Sequence, residues 1–165
     1  MQYSKTYDLF TDYSQFWLHD TGADVAQVAD LWGGAAAPDC RLVVGPGIVC
    51  IGTVRNSHAP VTIEIAEAEP PSASDDAWDE IVECSLQMPV GRLVVHDDIL
   101  GQDGIHQTIT IPPGCYRVRV YCGSLEAQHS ALKGDDHYLV ILWPDGQTEP
   151  RVLKKFQRKG SGSRA

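Results

Sequence analysis

The sequence lacks long apolar runs, and this absence limits where the protein can reside. No stretch of its 165 residues approaches 18 consecutive apolar residues, so the sequence predicts no membrane span. The first residues, MQYSKTYDLFTDYS, contain no apolar segment followed by a cleavage site, so we expect no secretory signal. With 43% hydrophobic and 21% charged residues, the chain has an ordinary globular composition, and we expect it in the cytoplasm.

Paired cysteines are also missing. The five cysteines are an odd number without a Cys-x-x-Cys pair, and they are Cys40, Cys50, Cys84, Cys115 and Cys122. The last two fall in one predicted strand, where a rise of about 3.3 Å per residue separates them by about 23 Å, too far for a disulfide. We therefore expect reduced cysteines that serve as small buried hydrophobic residues.

Motifs of catalysis and metal binding are absent as well. The sequence contains no His-Glu-x-x-His, no Gly-x-Ser-x-Gly and no calcium loop, and Gly45-Pro46-Gly47 is typical of a turn. We therefore expect a protein with no cofactor, no bound metal and no catalytic residues, rather than an enzyme.

Two groups of histidines and carboxylates leave an alternative open. His96 and His106 flank an acidic stretch, and His137 follows two aspartates. Imidazoles beside carboxylates near strand ends are compatible with a cupin-like sandwich that binds a small ligand or a metal ion, or that is an enzyme.

Basic residues are scarce and unevenly distributed. The chain has 13 lysines and arginines against 22 aspartates and glutamates, a net charge of −9. Six of the 13 follow Glu149, so residues 1–150 carry 7 basic and 22 acidic side chains, a net charge of −15. Such a body repels nucleic acid and attracts basic protein surfaces. The sequence predicts an acidic domain over residues 1–150 and a basic, flexible tail over residues 151–165.

Negative charge is most concentrated in the segment AEAEPPSASDDAWDEIVE, residues 66–83. It contains seven carboxylates, and no basic residue occurs between Arg55 and Arg92. Trp78 stands among these acids, and tryptophan is enriched at the centres of protein interfaces. Two plainer interpretations remain open, namely that the acids keep the protein soluble and that the tryptophan is anchored in the core. We predict a partner-binding surface formed by Glu67, Glu69, Asp75, Asp76, Trp78, Asp79, Glu80 and Glu83.

The sequence is rich in apolar and polar residues that alternate with a period of two, which is typical of strands. In CYRVRVYC, residues 115–122, Arg117 and Arg119 face one side and the apolar residues between them face the other. A short helix is predicted in ADVAQVADLW, residues 23–32. Together these patterns predict a mainly β, single-domain, antiparallel β-sandwich of jelly-roll-like order with one short helix. The nine predicted strands are residues 13–19, 40–44, 48–55, 61–67, 78–86, 92–96, 106–111, 115–122 and 137–143.

Three short motifs resemble those of a known family. They are Tyr13-Ser14-Gln15-Phe16, Pro113-Gly114-Cys115-Tyr116 and the last predicted strand, His137 to Trp143. In this order, with a short helix after the first motif, they resemble bacterial ComJ-type proteins over most of the chain. The known member of that family inhibits the nuclease associated with DNA entry into competent cells, and small bacterial immunity proteins act similarly on toxin nucleases. The resemblance therefore implies a β-rich inhibitor.

Charge and resemblance together favour an acidic binding protein that inhibits a basic partner, a nuclease or a toxin domain. Carboxylates compete with phosphates for the basic cleft of a nuclease, and complementary fields raise association rates to about 10⁸–10⁹ M⁻¹s⁻¹ at low salt. We expect no direct contact with nucleic acid. The cupin-like alternative, with His96 and His106 as ligands, stays open at this point.

Overall fold

The computed structural model describes residues 2–27, 41–71, 75–97, 105–126, 128–130 and 133–157. Within these ranges the chain forms strands and short 3-10 turns, so the predicted mainly β class is confirmed. The strands are β1 (Tyr3–Phe10), β2 (Gln15–Asp20), β3 (Leu42–Gly45), β4 (Ile48–Gly52), β5 (His58–Ile65), β6 (Glu80–Met88), β7 (Arg92–His96), β8 (Ile105–Thr110), β9 (Gly114–Gly123), β10 (Gln128–Ser130), β11 (Lys133–Gly134), β12 (His137–Pro144) and β13 (Arg151–Lys154). The 3-10 turns are Asp12–Ser14, Val25–Gln27 and Asp75–Ala77.

Two sheets contain most of these strands. Sheet A has six strands in the order β1-β5-β12-β9-β6-β13, and sheet B has five in the order β3-β4-β2-β7-β8. The nine predicted strands correspond to β2 through β9 and β12. The pattern does not predict β1 and β13, which are the edge strands of sheet A and expose most of their side chains. It also misses the short pair of β10 and β11.

Every described pair of neighbouring strands is antiparallel except β5 and β12. These two run parallel, with Ile63 beside Val140. The expected antiparallel sandwich is therefore corrected to one with a mixed sheet. A tight hairpin imposes the antiparallel direction, whereas β5 and β12 are far apart in the sequence and no hairpin joins them.

The main hydrophobic core lies between the two sheets. Sheet A contributes fully buried side chains such as Val82 and Val118, and sheet B contributes Phe16, Leu18 and Val95. Burying one such side chain contributes about 1.5–3 kcal/mol, so this layer supplies most of the driving force for folding. None of the described cysteines is in a disulfide, and all but Cys115 are buried; they are Cys50, Cys84, Cys115 and Cys122.

Two predicted features, the flexible tail and the short helix, lie partly outside the described residues. At the start of the predicted tail, Arg151–Lys154 forms β13 and pairs with β6, where Arg151 lies opposite the buried Glu83. Residues 158–165 lie outside the described residues. In the expected helix, residues 25–27 form a 3-10 turn, and residues 28–32 also lie outside. None of the described helices is long and apolar enough to cross a membrane.

Candidate partner-binding surface

The outer face of sheet A carries buried charge because of the two-residue period of β9. Tyr116, Val118 and Val120 belong to the core between the sheets, so Arg117 and Arg119 point to the opposite side, as the alternation predicts. On that side they meet β6, which is buried on both faces. The outer face of sheet A is therefore covered rather than simply solvated.

Strand register aligns a row of side chains across this outer face. Adjacent residues in such a row have Cβ atoms about 4.5–5.5 Å apart, and opposite charges at this spacing stabilise the sheet. The row contains one residue from each of the six strands: Ser4, Glu64, Ile141, Arg119, Glu83 and Arg151.

Glu83 is the centre of the charged part of this row. Its side chain is fully buried and accepts hydrogen bonds from three arginines. The donors are Nε of Arg119 at 2.7 Å, Nη1 of Arg117 at 2.9 Å and Nη2 of Arg151 at 2.6 Å. Such charge-assisted bonds are the strong class of protein hydrogen bonds, and here they connect three neighbouring strands of sheet A.

The arginines keep Glu83 ionised despite its burial. Burial alone would raise the pKa of Glu83, but the hydrogen bonds from the three arginines outweigh this effect and hold the pKa below its usual value. Burial likewise disfavours the charged form of Arg119. Its hydrogen bonds with Tyr121 and two glutamates reverse this effect and raise the pKa of Arg119 above its usual value.

An apolar patch lies on the same outer face beside the charged network. Tyr121, Ile81, Ile141 and Trp143 are at most 7% exposed. Arg119 stacks over the indole of Trp143, with Cζ 4.8 Å from the ring centroid, and so joins the patch to the charged network.

The acidic segment covers this patch. The ring of Trp78 packs on Tyr121 and on His137, with centroids 5.5 Å and 5.3 Å apart. Glu69 reaches down to the network, where its Oε1 accepts a hydrogen bond from Nη2 of Arg119 at 2.7 Å. Trp78 is half-buried, so the indole is anchored in the fold while part of it stays accessible.

The connection between β12 and β13 covers the neighbouring part of the face. Arg117 donates from Nη2 to the carbonyl oxygen of Gly146 at 3.0 Å, and the same nitrogen lies 3.6 Å from Oδ2 of Asp145. Together with Glu69 and Glu83, Asp145 brings the number of carboxylates around the three arginines to three. The network is therefore balanced in charge.

Two further acids of the segment also hold the fold together. Glu80 is buried and pairs with Arg41, whose Nε lies 2.5 Å from Oε1 of Glu80, and its Oε2 accepts a hydrogen bond from the backbone of Phe156 at 3.2 Å. Asp79 accepts a hydrogen bond from the backbone nitrogen of Leu125 at 2.8 Å. These carboxylates therefore fix loops in the folded protein.

The eight residues predicted to bind a partner therefore have different environments. Glu67, Glu69 and Asp76 are exposed, Trp78 and Asp79 are half-buried, Glu80 and Glu83 are buried in ion pairs, and the side chain of Asp75 lies outside the description. The arginine partners of the last two glutamates were not predicted from the sequence. The outward alternation of Arg117 and Arg119 was the available signal, because buried arginines on a sheet face require carboxylates nearby.

The alternative metal site rests partly on side chains outside the description, namely that of His106 and those of residues 98–104. His96 is buried, with Nδ1 3.4 Å from Nε2 of His19 and its ring 4.8 Å from that of Trp17. In the second predicted group, Oδ1 of Asp136, which precedes His137 in the chain, lies 2.5 Å from Nε of Arg55. Among the described residues, no three histidine, cysteine, aspartate or glutamate side chains are grouped so as to hold a metal ion.

Comparison with known proteins shows which solved structures share this architecture. No protein-family model matches the sequence, and no curated protein matches it. Two solved structures are similar. One is ComJ of Bacillus subtilis, described as an inhibitor of the DNA-degrading activity of NucA, with 13% identity and a TM-score of 0.60 over 88% of this chain and 99% of ComJ. The other is the product of crocagin biosynthetic gene J, with 18% identity and a TM-score of 0.52 over 87% of this chain and 96% of that protein.

The chain therefore has a ComJ-like fold, which confirms the resemblance of its motifs at the level of architecture. Identities of 13% and 18% show the fold alone. The function has to be argued from the surface and tested.

Proposed function

We propose that this protein inhibits a nuclease by binding it directly. The observation that carries the proposal is the ComJ-like fold over nearly the whole of ComJ, which is itself described as a nuclease inhibitor. The charge of the chain supports it, because a body with a net charge of −15 over residues 1–150 repels DNA and attracts the basic surface with which a nuclease holds its substrate.

The surface that we propose for the partner is the exposed part of the acidic segment. Glu67, Glu69 and Asp76 supply accessible carboxylates, and the half-buried Trp78 of the same segment supplies an aromatic group fixed on Tyr121. Asp75 belongs to the same surface by sequence. Because Trp78 and Glu69 are both anchored to sheet A, these two residues can contact a partner without a large loss of their own conformational entropy.

The proposal is tested by capturing the partner and assaying it. The tagged protein is immobilised and exposed to a lysate of its own bacterium, and the retained proteins are identified by mass spectrometry. We expect a basic nuclease, either a cellular enzyme or a toxin domain, among the strongly retained proteins. Purified separately, it should degrade plasmid DNA, and an equimolar amount of this protein should stop the degradation.

Two results would contradict the proposal. One is that the retained proteins include no nuclease. The other is that a retained nuclease degrades DNA at an unchanged rate in the presence of a large excess of this protein. Bovine serum albumin, which is also acidic, serves as the control for nonspecific charge effects on the assay.

A further inference from the structure

In the turn between β1 and β2, an aromatic residue has an unfavourable backbone conformation. Tyr13 has φ 54° and ψ 28°, and the following Ser14 has φ 56°. This left-handed region is disfavoured for residues with a Cβ atom, above all for bulky ones. The side chain of Tyr13 is 66% exposed, so burial of the ring does not offset the cost.

The turn is held rigidly by the loop between β4 and β5. The backbone nitrogen of the buried Thr11 donates to Ser57 O at 2.9 Å, and its Oγ1 donates to Arg55 O at 2.8 Å. The nitrogen of Ser14 donates back to Thr11 O at 3.0 Å, and Ser14 O accepts from the nitrogen of Thr53 at 2.8 Å. The left-handed geometry is therefore enforced from both sides of the turn.

A buried polar network also fixes the loop between β4 and β5. Nε of Arg55 lies 2.5 Å from Oδ1 of the fully buried Asp136, whose Oδ2 accepts a hydrogen bond from the Tyr138 hydroxyl at 2.6 Å. The nitrogen of Val54 donates to the same hydroxyl at 2.9 Å. Hydrogen bonds thus connect the turn that carries Tyr13 to the loop between β4 and β5, and buried polar contacts connect that loop to the interior of the protein.

The paired ends of β1 and β5, which adjoin the turn in the chain, carry aromatic and acidic side chains. Phe10 is 41% exposed, and its ring lies 5.3 Å from that of His58. Nδ1 of His58 lies 3.4 Å from Oδ2 of Asp8, and the side chain of Asp8 is 75% exposed. An aromatic projection next to a strand end with an exposed carboxylate, on a chain with a net charge of −9, fits an apolar pocket in a positively charged surface.

We propose that this turn is a protein-docking surface, in which Tyr13 inserts into an apolar pocket of a basic partner while Phe10 and His58 cover the pocket's rim. The identity of the partner as a nuclease rests on the function proposed above. A rigidly presented tyrosine gives a large contact area at a low entropic cost, and for this reason tyrosine is enriched among residues that dominate binding. This use gives a reason for a strained and exposed tyrosine at the turn.

One partner can reach this turn and the acidic segment together. The two surfaces lie at opposite ends of β5, whose residues from His58 to Ile65 span about 23 Å at about 3.3 Å per residue. A typical interface covers about 800 Å² on each partner and is therefore about 30 Å across. The acidic segment would guide the approach, and the tyrosine would slow the dissociation.

Replacing Tyr13 with residues that accept a left-handed backbone separates binding from folding. Tyr13→Asn and Tyr13→Gly both remove the ring and both suit the turn. We expect neither variant to have a lower thermal unfolding midpoint than the wild type. We expect both to bind the nuclease captured from the lysate at least tenfold more weakly, chiefly through faster dissociation. Val90→Ser, which removes another exposed apolar side chain, is the matched control and should bind like the wild type.

The outcomes distinguish this inference from the proposed function. If the Tyr13 variants bind the nuclease as tightly as the wild type, the docking surface is refuted and the inhibitor function stands. If the wild type retains no nuclease but retains another identified basic protein, and the Tyr13 variants lose it, the inhibitor function is refuted and the docking surface stands. If the wild type retains no protein, both are refuted. A lowered unfolding midpoint in both Tyr13 variants would show that the ring serves the fold and would also overturn the inference.

Discussion

Arg119 and Glu83 face each other across β9 and β6, with Nε 2.7 Å from Oε2, and neither residue is more than 8% exposed. A carboxylate buried in this way costs free energy unless its oxygens are hydrogen-bonded and its charge is compensated. Arg117 and Arg151 supply further donors to the same carboxylate. Because Arg151 belongs to the edge strand β13, its hydrogen bond with Glu83 also helps to hold β13 to sheet A.

Neutralising Glu83 should destabilise the protein strongly. Glu83→Gln keeps the shape of the side chain but leaves the three arginines with too little negative charge in a buried place. We expect the free energy of unfolding to fall by about 3–5 kcal/mol, the usual effect of breaking a buried ion pair from one side. Urea denaturation measures it. Glu67→Gln, an exposed change of the same chemistry, should alter the free energy by less than about 0.5 kcal/mol. A loss below about 1 kcal/mol for Glu83→Gln would show that the arginines find other partners.

The same carboxylate should make stability depend on pH in the acidic range. Burial would raise the pKa of Glu83, but the three arginines lower it below the ordinary value of 4.5. A group with a lowered folded pKa stabilises the protein above its unfolded pKa, and this contribution disappears as the pH falls through the folded pKa. The difference in unfolding free energy between wild type and Glu83→Gln should therefore be constant at neutral pH and shrink below pH 4.5. Urea titrations at successive pH values test this, and a difference that grows on acidification would contradict it.

Local pattern predicts the faces of strands well, because side chains alternate strictly along an extended chain. This is why the outward direction of Arg117 and Arg119 and the nine regular strands could be read from the sequence. The parallel pairing of β5 with β12 could not, because it depends on the packing of segments that are distant in the chain. Local periodicity contains no information about such neighbours.

The candidate site was only partly predictable for a similar reason. In the sequence, Glu80 and Glu83 cannot be distinguished from the other acids of their segment, because the sequence shows the charge of each residue but not the residue with which it pairs. Their partners Arg41 and Arg151 lie 39 and 68 residues away in the chain. Tyr13 stands out in the sequence as part of a motif, but its left-handed backbone can be recognised only in the folded chain.

Removing Trp78 should uncover the apolar patch of sheet A. Its ring packs on Tyr121 and His137 and is half-buried. We therefore expect Trp78→Ala to lower the free energy of unfolding by about 1–3 kcal/mol, less than the 3–5 kcal/mol typical of a fully buried tryptophan. Amide exchange in β9 and β12 should become faster. Trp78→Phe should restore most of the stability, since it keeps a ring over Tyr121.

The binding of Trp78→Ala provides a separate measurement. If the accessible part of the indole contacts the partner, the variant should dissociate faster from the captured nuclease, while the dependence of the association rate on salt stays unchanged. Surface plasmon resonance at two salt concentrations measures both quantities. An unchanged dissociation rate would restrict Trp78 to its structural role on sheet A.

Reversing exposed acids should slow association without unfolding the protein. Glu67 and Asp76 are both exposed, so their replacement by lysine should change the free energy of unfolding by less than about 1 kcal/mol. Because complementary fields accelerate encounter by about 10–10³-fold, we expect the double variant to associate about tenfold more slowly with the nuclease at low salt. The difference should shrink as added salt shortens the screening length to about 8 Å.

A matched reversal shows whether position or total charge matters. Asp24 and Glu126 are exposed and lie outside the acidic segment, and their replacement by lysine changes the net charge by the same amount. Steering by a local surface predicts a normal association rate for this control and a slow one for the Glu67 and Asp76 variant. Stopped-flow measurements of wild type and both variants at two salt concentrations give the comparison. Equal slowing of the two variants would mean that the whole acidic body attracts the partner, and an unchanged rate in both would mean that the acids of this segment only keep the protein soluble.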